Sequence, residues 1–259
     1  AIATALPKRG RIAVRLHFHE IFETAANVDW SKVDALVLLT QYQREQLAPI
    51  LADRVPVHLV RNGVNTDRFA PSERQFGYRI GMACSLLPRK RVYEAVLALS
   101  ELRAAGYPYT LRIAGTGGDY WEAKAYHRAL LDRVRELGLE EAVTFDGRVE
   151  DVAGWLADVD VFLSNSSSEG LQVALLEAMS AGCYCLSHCW CGVEEVLPPE
   201  QIFVTEADLC RKLAAYAETT PSEKSEAQQR MRAIALDRFQ ESRMVNEVIA
   251  LIESVGGRA

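Results

Sequence analysis

No run of apolar residues in this sequence approaches the ~20 that a membrane-spanning helix requires. No dense run of lysine and arginine occurs either, and the formal net charge is −6, which argues against a groove for a nucleic-acid backbone. The opening stretch, Ala1 to Pro7, is short and lacks the layout of a secretory leader. The expectation is a cytoplasmic protein, with peripheral contact at the inner face of the cell membrane left open. Internal repeats and low-complexity segments are also missing. With 49% hydrophobic and 25% charged residues, the composition is that of an ordinary globular protein, so disorder and coiled coil are poor readings. A length of 259 residues suits one large domain, or one domain plus part of another.

What the sequence does contain is alternation. Short apolar runs at Arg11–Leu16, Ala35–Leu39 and Val57–Val60 read as buried parallel strands, with a helical stretch, Gln41–Leu51, between the last two. A polar stretch from Arg68 to Gly77 reads as a linker. Beyond it, strands at Tyr78–Ala83, Tyr109–Ala114, Ala142–Phe145, Val159–Ser164, Cys183–Ser187 and Ile202–Val204 are separated by helical stretches at Val92–Ala105, Trp121–Leu137, Val152–Ala157 and Val173–Ala181. Three further helices close the chain: Asp208–Ala217, Ser222–Phe239 and Arg243–Val255. Strands alternating with helices predict an α/β fold, a doubly wound parallel sheet whose ligands sit beyond the carboxyl ends of its strands.

The most informative segment runs from Ser164 to Met179. A polar, serine-rich loop leaves a strand and opens directly into a helix, which presents unpaired N–H groups and the positive end of its dipole. Such an end suits phosphate. The helix is apolar nearly all round, yet Glu177 lies inside it. A buried carboxylate needs donors. Either a nearby Arg or Lys pairs with it and the serines merely cap the helix, or the two hydroxyls of a ribose supply the donors. Glu169, on the loop, is free to reach a sugar.

Glu169 and Glu177, with seven residues between them and Ala178-Met179-Ser180-Ala181-Gly182 following, resemble the paired-glutamate signature of the GT-B glycosyltransferases of family GT4. Three more pieces of that pattern occur in order: Asn62-Gly63-Val64-Asn65-Thr66-Asp67-Arg68-Phe69, then Arg89-Lys90-Arg91, then Leu111 to Gly117. The resemblance covers most of residues 57–200. It implies two facing Rossmann-like domains, the C-terminal one complete and the N-terminal one partial: residues 1–68 as a remnant of the acceptor side, 69–230 as the nucleotide-sugar domain, and 231–259 as a helix returning to the first. It implies retaining transfer of a sugar from a nucleoside diphosphate to a hydroxyl, in surface polysaccharide or glycoconjugate assembly.

The roles that follow from the resemblance are specific. Glu169 would touch donor-sugar hydroxyls, Lys90 would neutralise the leaving diphosphate, and His17, after the first strand, would face the donor sugar. Glu177 would hold the ribose. The backbone from Gly170 through Leu171, Gln172 and Val173 to Ala174 would cradle the diphosphate, with Arg89 nearby. Gly115 and Gly117 would let the nucleotide approach closely, and Arg148 and Val149, after Gly147, would lie near the base. No cofactor and no bound metal is implied. The partners would be the nucleotide sugar and a glycan or glycolipid acceptor, with a homo-oligomer or a further N-terminal domain possible from the shortness of the first part. That shortness also predicts a chain that binds donor but transfers weakly, and it keeps open a non-catalytic sugar-nucleotide-binding domain; a GT-B sugar-nucleotide epimerase is the other alternative. The sequence departs from the pattern at Cys84-Ser85-Leu86-Leu87, where an arginine is usual, at Gln172 in place of a glycine, and at Asn65 in place of an aspartate.

Four of the six cysteines crowd into Cys183-Tyr184-Cys185 and Cys189-Trp190-Cys191. Their one-residue spacing is tighter than the two to four residues that zinc sites favour. Residues at alternate positions of a strand share a face, so Cys183 and Cys185 read as small apolar core side chains. The pair Glu194-Glu195 reads as a helix start.

Overall fold

A computed structural model describes residues 2–5 and 7–257; Ala1, Leu6, Arg258 and Ala259, and with them the two ends of the outer segments proposed above, lie outside the described residues. The strands are β1 (Ala13–Arg15), β2 (Ala35–Leu38), β3 (Val57–Leu59), β4 (Arg79–Ala83), β5 (Thr110–Ala114), β6 (Val143–Gly147), β7 (Val161–Ser164), β8 (Tyr184–His188) and β9 (Ile202–Phe203). The helices are α1 (Ile2–Ala5), α2 (Phe18–Glu23), α3 (Gln41–Leu51), α4 (Val92–Ala104), α5 (Trp121–Glu136), α6 (Val152–Ala157), α7 (Val173–Ser180), α8 (Glu206–Glu218), α9 (Pro221–Arg238) and α10 (Glu241–Gly256). Short 3-10 turns occur between them. Two helices were not anticipated: α1 has four residues and α2, directly after His17, has six, both too short for any periodic signal.

Two parallel sheets result. The first has the order β1-β2-β3, with Ala13 opposite Ala35 and Leu36 opposite Val57. All four residues of β2 are buried, because both faces are covered. Leu36 and Leu38 face a core with Ile21, Trp30, Leu47 and Leu51. Ala35 and Val37 face the other way, against Leu251 and the half-buried Met244, Val248 and Val255 of α10. The last helix of the chain therefore covers a strand some two hundred residues before it. Its other apolar stripe, Val245, Ile249 and Ile252, is exposed.

The second sheet has the order β6-β5-β4-β7-β8-β9. Chain order reverses between β4 and β7, the switch point at which doubly wound sheets bind ligands. Val161 and Leu163 of β7 enter one core with Leu111, Ile113 and α4, while Phe162 enters the other with α7, as the two-residue period of a strand requires.

Arginines hold the irregular linker in place. Asp160, fully buried, accepts from the backbone N–H groups of Gly77 and Arg79 at 2.9 Å each and from the Arg79 guanidinium at 2.9 and 3.0 Å. Arg74 donates to the carbonyls of Leu156, Val159 and Ala181, the open carbonyl ends of α6 and α7. Arg232, on α9, donates to the carbonyls of Thr66, Phe69 and Ser180 at 2.7–2.9 Å and so fixes the Asn65–Phe69 turn to the end of α7.

The two sheets are joined by a carboxylate. Glu195 accepts from the N–H groups of Gln41 and Tyr42, at 3.0 and 3.1 Å, which are the open donors at the start of α3. A 3-10 turn does begin at Val193, but the role of Glu195 is to cap a helix of the other unit. Where the chain crosses back, the Val64 N–H meets the Phe239 carbonyl at 2.8 Å and the Glu241 N–H meets the Val64 carbonyl at 3.0 Å.

Removing one partner of a buried charge pair leaves the remaining donors unmatched. Asp160→Ala is expected to lower the unfolding free energy by about 3 kcal/mol, measured as a shift in urea midpoint at unchanged slope. A loss under about 0.5 kcal/mol, the range of an exposed surface substitution, would place the anchoring of the linker elsewhere.

Candidate nucleotide-sugar site

Because β4, β5, β6, β7 and β8 are parallel, their carboxyl ends leave the sheet on one edge. The loop after β4 makes a 3-10 turn at Pro88–Lys90, and Arg91 stands in the left-handed region at φ 51°. The loop after β7 lies against it. The Ser167 N–H meets the Arg89 carbonyl at 2.8 Å, and the Asn165 carboxamide meets the Arg91 carbonyl at 2.7 Å.

These contacts bring Lys90 and Glu169 together. Lys90 is 7% exposed, not a solvated surface lysine, and its ammonium is in direct contact with the Glu169 carboxylate. The Ser166 hydroxyl donates to the same oxygen at 2.7 Å, and Arg89 stands 3.6 Å from it. The expectation of a freely reaching Glu169 is thus corrected: without a ligand, a lysine and a serine hold it. One of its oxygens takes all of these donors, which an anion or a sugar hydroxyl would share.

At the start of α7 the serines do not cap the helix. Gln172 occupies the cap position without a capping bond, and its side-chain oxygen instead accepts from the Ser164 hydroxyl. Among the described residues no acceptor meets the N–H groups of Val173 and Ala174. The helix is not buried all round, since Val173 is 43% exposed and leaves this end open. One turn on, Glu177 is half-buried. Among the described residues no hydrogen bond or ion pair reaches it, so the alternative of a partner Arg or Lys is not realised. Burial pushes its carboxyl up, and Arg68 draws it only part of the way back.

Gly115 ends β5 at φ 139°, where an added Cβ would lie 1.9 Å from the Cys84 carbonyl oxygen, so only glycine fits. Gly115, Gly117 and Gly147 line one cavity of about 290 Å³, floored by Leu86 and Phe145. Arg148 is exposed and Val149 packs on the core beside Trp155; neither lines that cavity.

A second cavity, of about 460 Å³, lies between the two sheets. Arg89, Glu169, Gly170 and Leu171 form one wall, and His17 with Phe18, His19 and Phe22 forms the other. His17 is exposed and starts α2, its backbone N–H held by Glu20 at 2.6 Å. A Cβ on Gly170 would come within 2.9 Å of the Phe18 Cβ, so the loop needs a glycine to pass this helix. The sequence pattern gave Asn62 no role, yet its carboxamide reaches the Leu171 carbonyl at 2.9 Å.

The four clustered cysteines part company. Cys183 and Cys185 are fully buried in the core beneath α7, where burial pushes the Cys183 thiol up to about 11. Cys189 and Cys191 are exposed. Among the described residues no three metal-ligating side chains converge. No helix among them is long and apolar enough to cross a membrane.

Residues 77–219, more than half of the chain, match the profile of the family described as Glycosyl transferases group 1. The chain belongs to that family. The group 1 assignment agrees with individual relatives. The putative colanic acid biosynthesis glycosyltransferase WcaL of Escherichia coli K12 is 25% identical over 238 residues, covering 86% of this chain and 57% of that protein. A GDP-mannose-dependent α-(1-6)-phosphatidylinositol monomannoside mannosyltransferase of Mycolicibacterium smegmatis is 29% identical over 199 residues, covering 66% of this chain and 50% of that protein. The chain thus spans little more than half the length of these curated relatives. Among solved structures, Anabaena HepE in complex with UDP and glucose superposes with a TM-score of 0.81 at 17% identity, covering 94% of this chain and 72% of that one. The pneumococcal O-GlcNAc transferase GtfA with UDP and GlcNAc superposes at 0.80, also at 17% identity, covering 95% and 52%. The fold is GT-B.

In a group 1 protein with an unpartnered Glu177, ligand-free stability should depend on pH. A carboxyl raised above its ordinary 4.5 by folding binds its proton more tightly when folded. Its contribution is intact below that value and is lost as pH rises through the raised one. Glu177→Gln is therefore expected to melt higher than the unsubstituted protein at pH 8, with the gain shrinking towards pH 4, read by circular dichroism. A variant that melts lower at pH 8 would show that the carboxylate already has a partner.

Proposed function

We propose that this chain binds a nucleoside diphosphate sugar across the carboxyl edge of its second sheet and serves a retaining glycosyltransferase. The observation that carries the proposal is the meeting, at the switch point, of Lys90, Glu169 and the open start of α7, with Glu177 unpartnered one turn further on. The diphosphate would lie on the N–H groups at the start of α7, where backbone donors and helix dipole favour an anion. Lys90 would turn from Glu169 to the phosphate and stabilise the charge that develops as the leaving group departs. These groups supply positive potential of the kind that a bound metal supplies in other phosphate chemistry. Glu169, released from Lys90, would accept from donor-sugar hydroxyls, Glu177 would accept from the ribose diol, and the glycine-lined cavity would take the base.

The acceptor is a glycan or glycolipid hydroxyl entering from the first sheet, past His17. In this reading residues 1–68 belong to the acceptor side, 69–230 to the donor side, and the last helix returns to the first. The bond from the anomeric carbon to the diphosphate breaks and a bond to the acceptor oxygen forms, with configuration kept, and the proton of the acceptor hydroxyl passes to the departing diphosphate. The names of the relatives, one for colanic acid biosynthesis and one for mannosylation of a phosphatidylinositol mannoside, support a role in polysaccharide or glycoconjugate assembly; work at the inner face of the membrane is part of this reading.

Calorimetry with UDP, GDP and ADP, each beside its nucleoside, tests the proposal. Lys90→Ala is expected to weaken the diphosphate roughly tenfold, the scale of one lost charge-assisted contact, and to leave the nucleoside unchanged. The salt dependence of diphosphate binding should fall with it, since a screened charge contact is gone. If the variant binds diphosphate and nucleoside as the unsubstituted protein does, Lys90 serves only to hold Glu169.

A further inference from the structure

Asn62 lies at the end of the first sheet, and the second sheet's phosphate cradle starts more than a hundred residues later. One hydrogen bond joins them: the Asn62 Nδ2 donates to the Leu171 carbonyl at 2.9 Å. The orientation of this carboxamide follows from its other neighbour. The Arg15 guanidinium stands 2.8 Å from the Asn62 Oδ1. A guanidinium only donates, so the oxygen must face Arg15 and the amide nitrogen must face Leu171. The backbone around Asn62 is fixed as well. Val64 is bonded on both sides to the returning chain, at Phe239 and Glu241, and a Cβ on Gly63 would lie 2.5 Å from the Glu241 Cα.

The consequence falls on the next peptide. In a trans peptide the carbonyl and the N–H point in opposite directions. With the Leu171 carbonyl tied back to Asn62, the Gln172 N–H is turned the other way, and among the described residues it meets no acceptor. Gln172 is held from its far side by the Ser164 hydroxyl. The orientation of this donor is thereby set before any ligand arrives, and the open N–H groups of Val173 and Ala174 follow it directly in the chain.

We infer that Asn62, oriented by Arg15, is a positioning residue that presents the backbone donors of the Leu171–Ala174 segment to the diphosphate, so that the first sheet sets the phosphate affinity of the second. This inference rests on the donor reading above. Asn62→Asp is the sharpest probe, because it keeps size and the Arg15 contact but sets a carboxylate oxygen against the Leu171 carbonyl. Two acceptors face to face repel, and the peptide should turn.

The experiment is calorimetry of the full chain with UDP, GDP and ADP and their nucleosides. With whichever diphosphate the unsubstituted protein binds tightest, Asn62→Asp should bind roughly tenfold more weakly, about the value of one hydrogen bond at a charged group, and its nucleoside equally well. Arg15→Met should lose part of the same increment, and Arg15→Lys, which keeps a donor, should restore it. Equal loss for diphosphate and nucleoside, or none for either, overturns the positioning role while the donor reading stands. If the unsubstituted protein binds none of the three diphosphates, the donor reading falls and this inference with it. Should Asn62→Asp fail to fold, as judged by circular dichroism, the Arg15 pair decides: equal diphosphate binding by Met and Lys variants overturns the role.

Discussion

Parallel pairing is the constraint on which everything else depends. Strands that run side by side in one direction cannot be joined by tight turns, so each must be followed by a crossover, and all their carboxyl ends leave on one edge. Cys84, Gly115, Arg148, Asn165 and Cys189 are the first residues beyond five such ends. They stand far apart in the sequence and are neighbours only because the sheet is parallel. The order β6-β5-β4-β7-β8-β9 then separates the β4 and β7 loops from the helices on either side and leaves a crevice between them. Lys90 comes from one of those loops and Glu169 from the other.

Placing charges in such a crevice costs stability, and the surroundings show how that cost is met. Glu169 is matched by Lys90 and Ser166. Asp160, at the opposite end of β7, is matched by four donors. Arg74 and Arg232 spend their guanidinium groups on helix-end carbonyls. Glu177 differs from all of these: among the described residues no hydrogen bond or ion pair reaches its carboxyl, and burial outweighs the pull of Arg68 on it. A third cavity, of about 830 Å³ between the linker and α9, lies at the other end of the sheet; Lys224 and Arg232 within it are both occupied by carbonyl oxygens.

Much of this was legible in the sequence, for identifiable reasons. The α/β alternation and the strands of the second sheet follow from short β-branched runs separated by helical periods, and α3 and α6 match the sequence-based bounds to the residue. The paired glutamates, Lys90 and the glycines after β5 stood out through their resemblance to the family pattern. What could not be read was anything that depends on which distant groups meet. Glu195 looked like the start of a local helix, but its carboxylate caps α3 across the gap between the sheets. Asn62 belonged to a recognised turn without a task. The serines of the loop suggested helix caps, yet they bond to Arg89, Glu169 and Gln172. α2 was missed because six residues with two phenylalanines carry no period, and its place comes from packing of Ile21 on the first core. The cysteine pairs look alike in spacing and differ in burial, which only the path after β8 decides.

A crystal structure of the protein with a bound nucleoside diphosphate would put the whole arrangement to the question at once. The phosphate oxygens are expected within about 2.7–3.2 Å of the N–H groups at the start of α7 and of the Lys90 ammonium, with Glu169 released from that lysine and the ribose hydroxyls on Glu177. A nucleotide seated instead in the groove between the linker and α9, or one in the crevice with Lys90 still on Glu169 and nothing on Glu177, would contradict it.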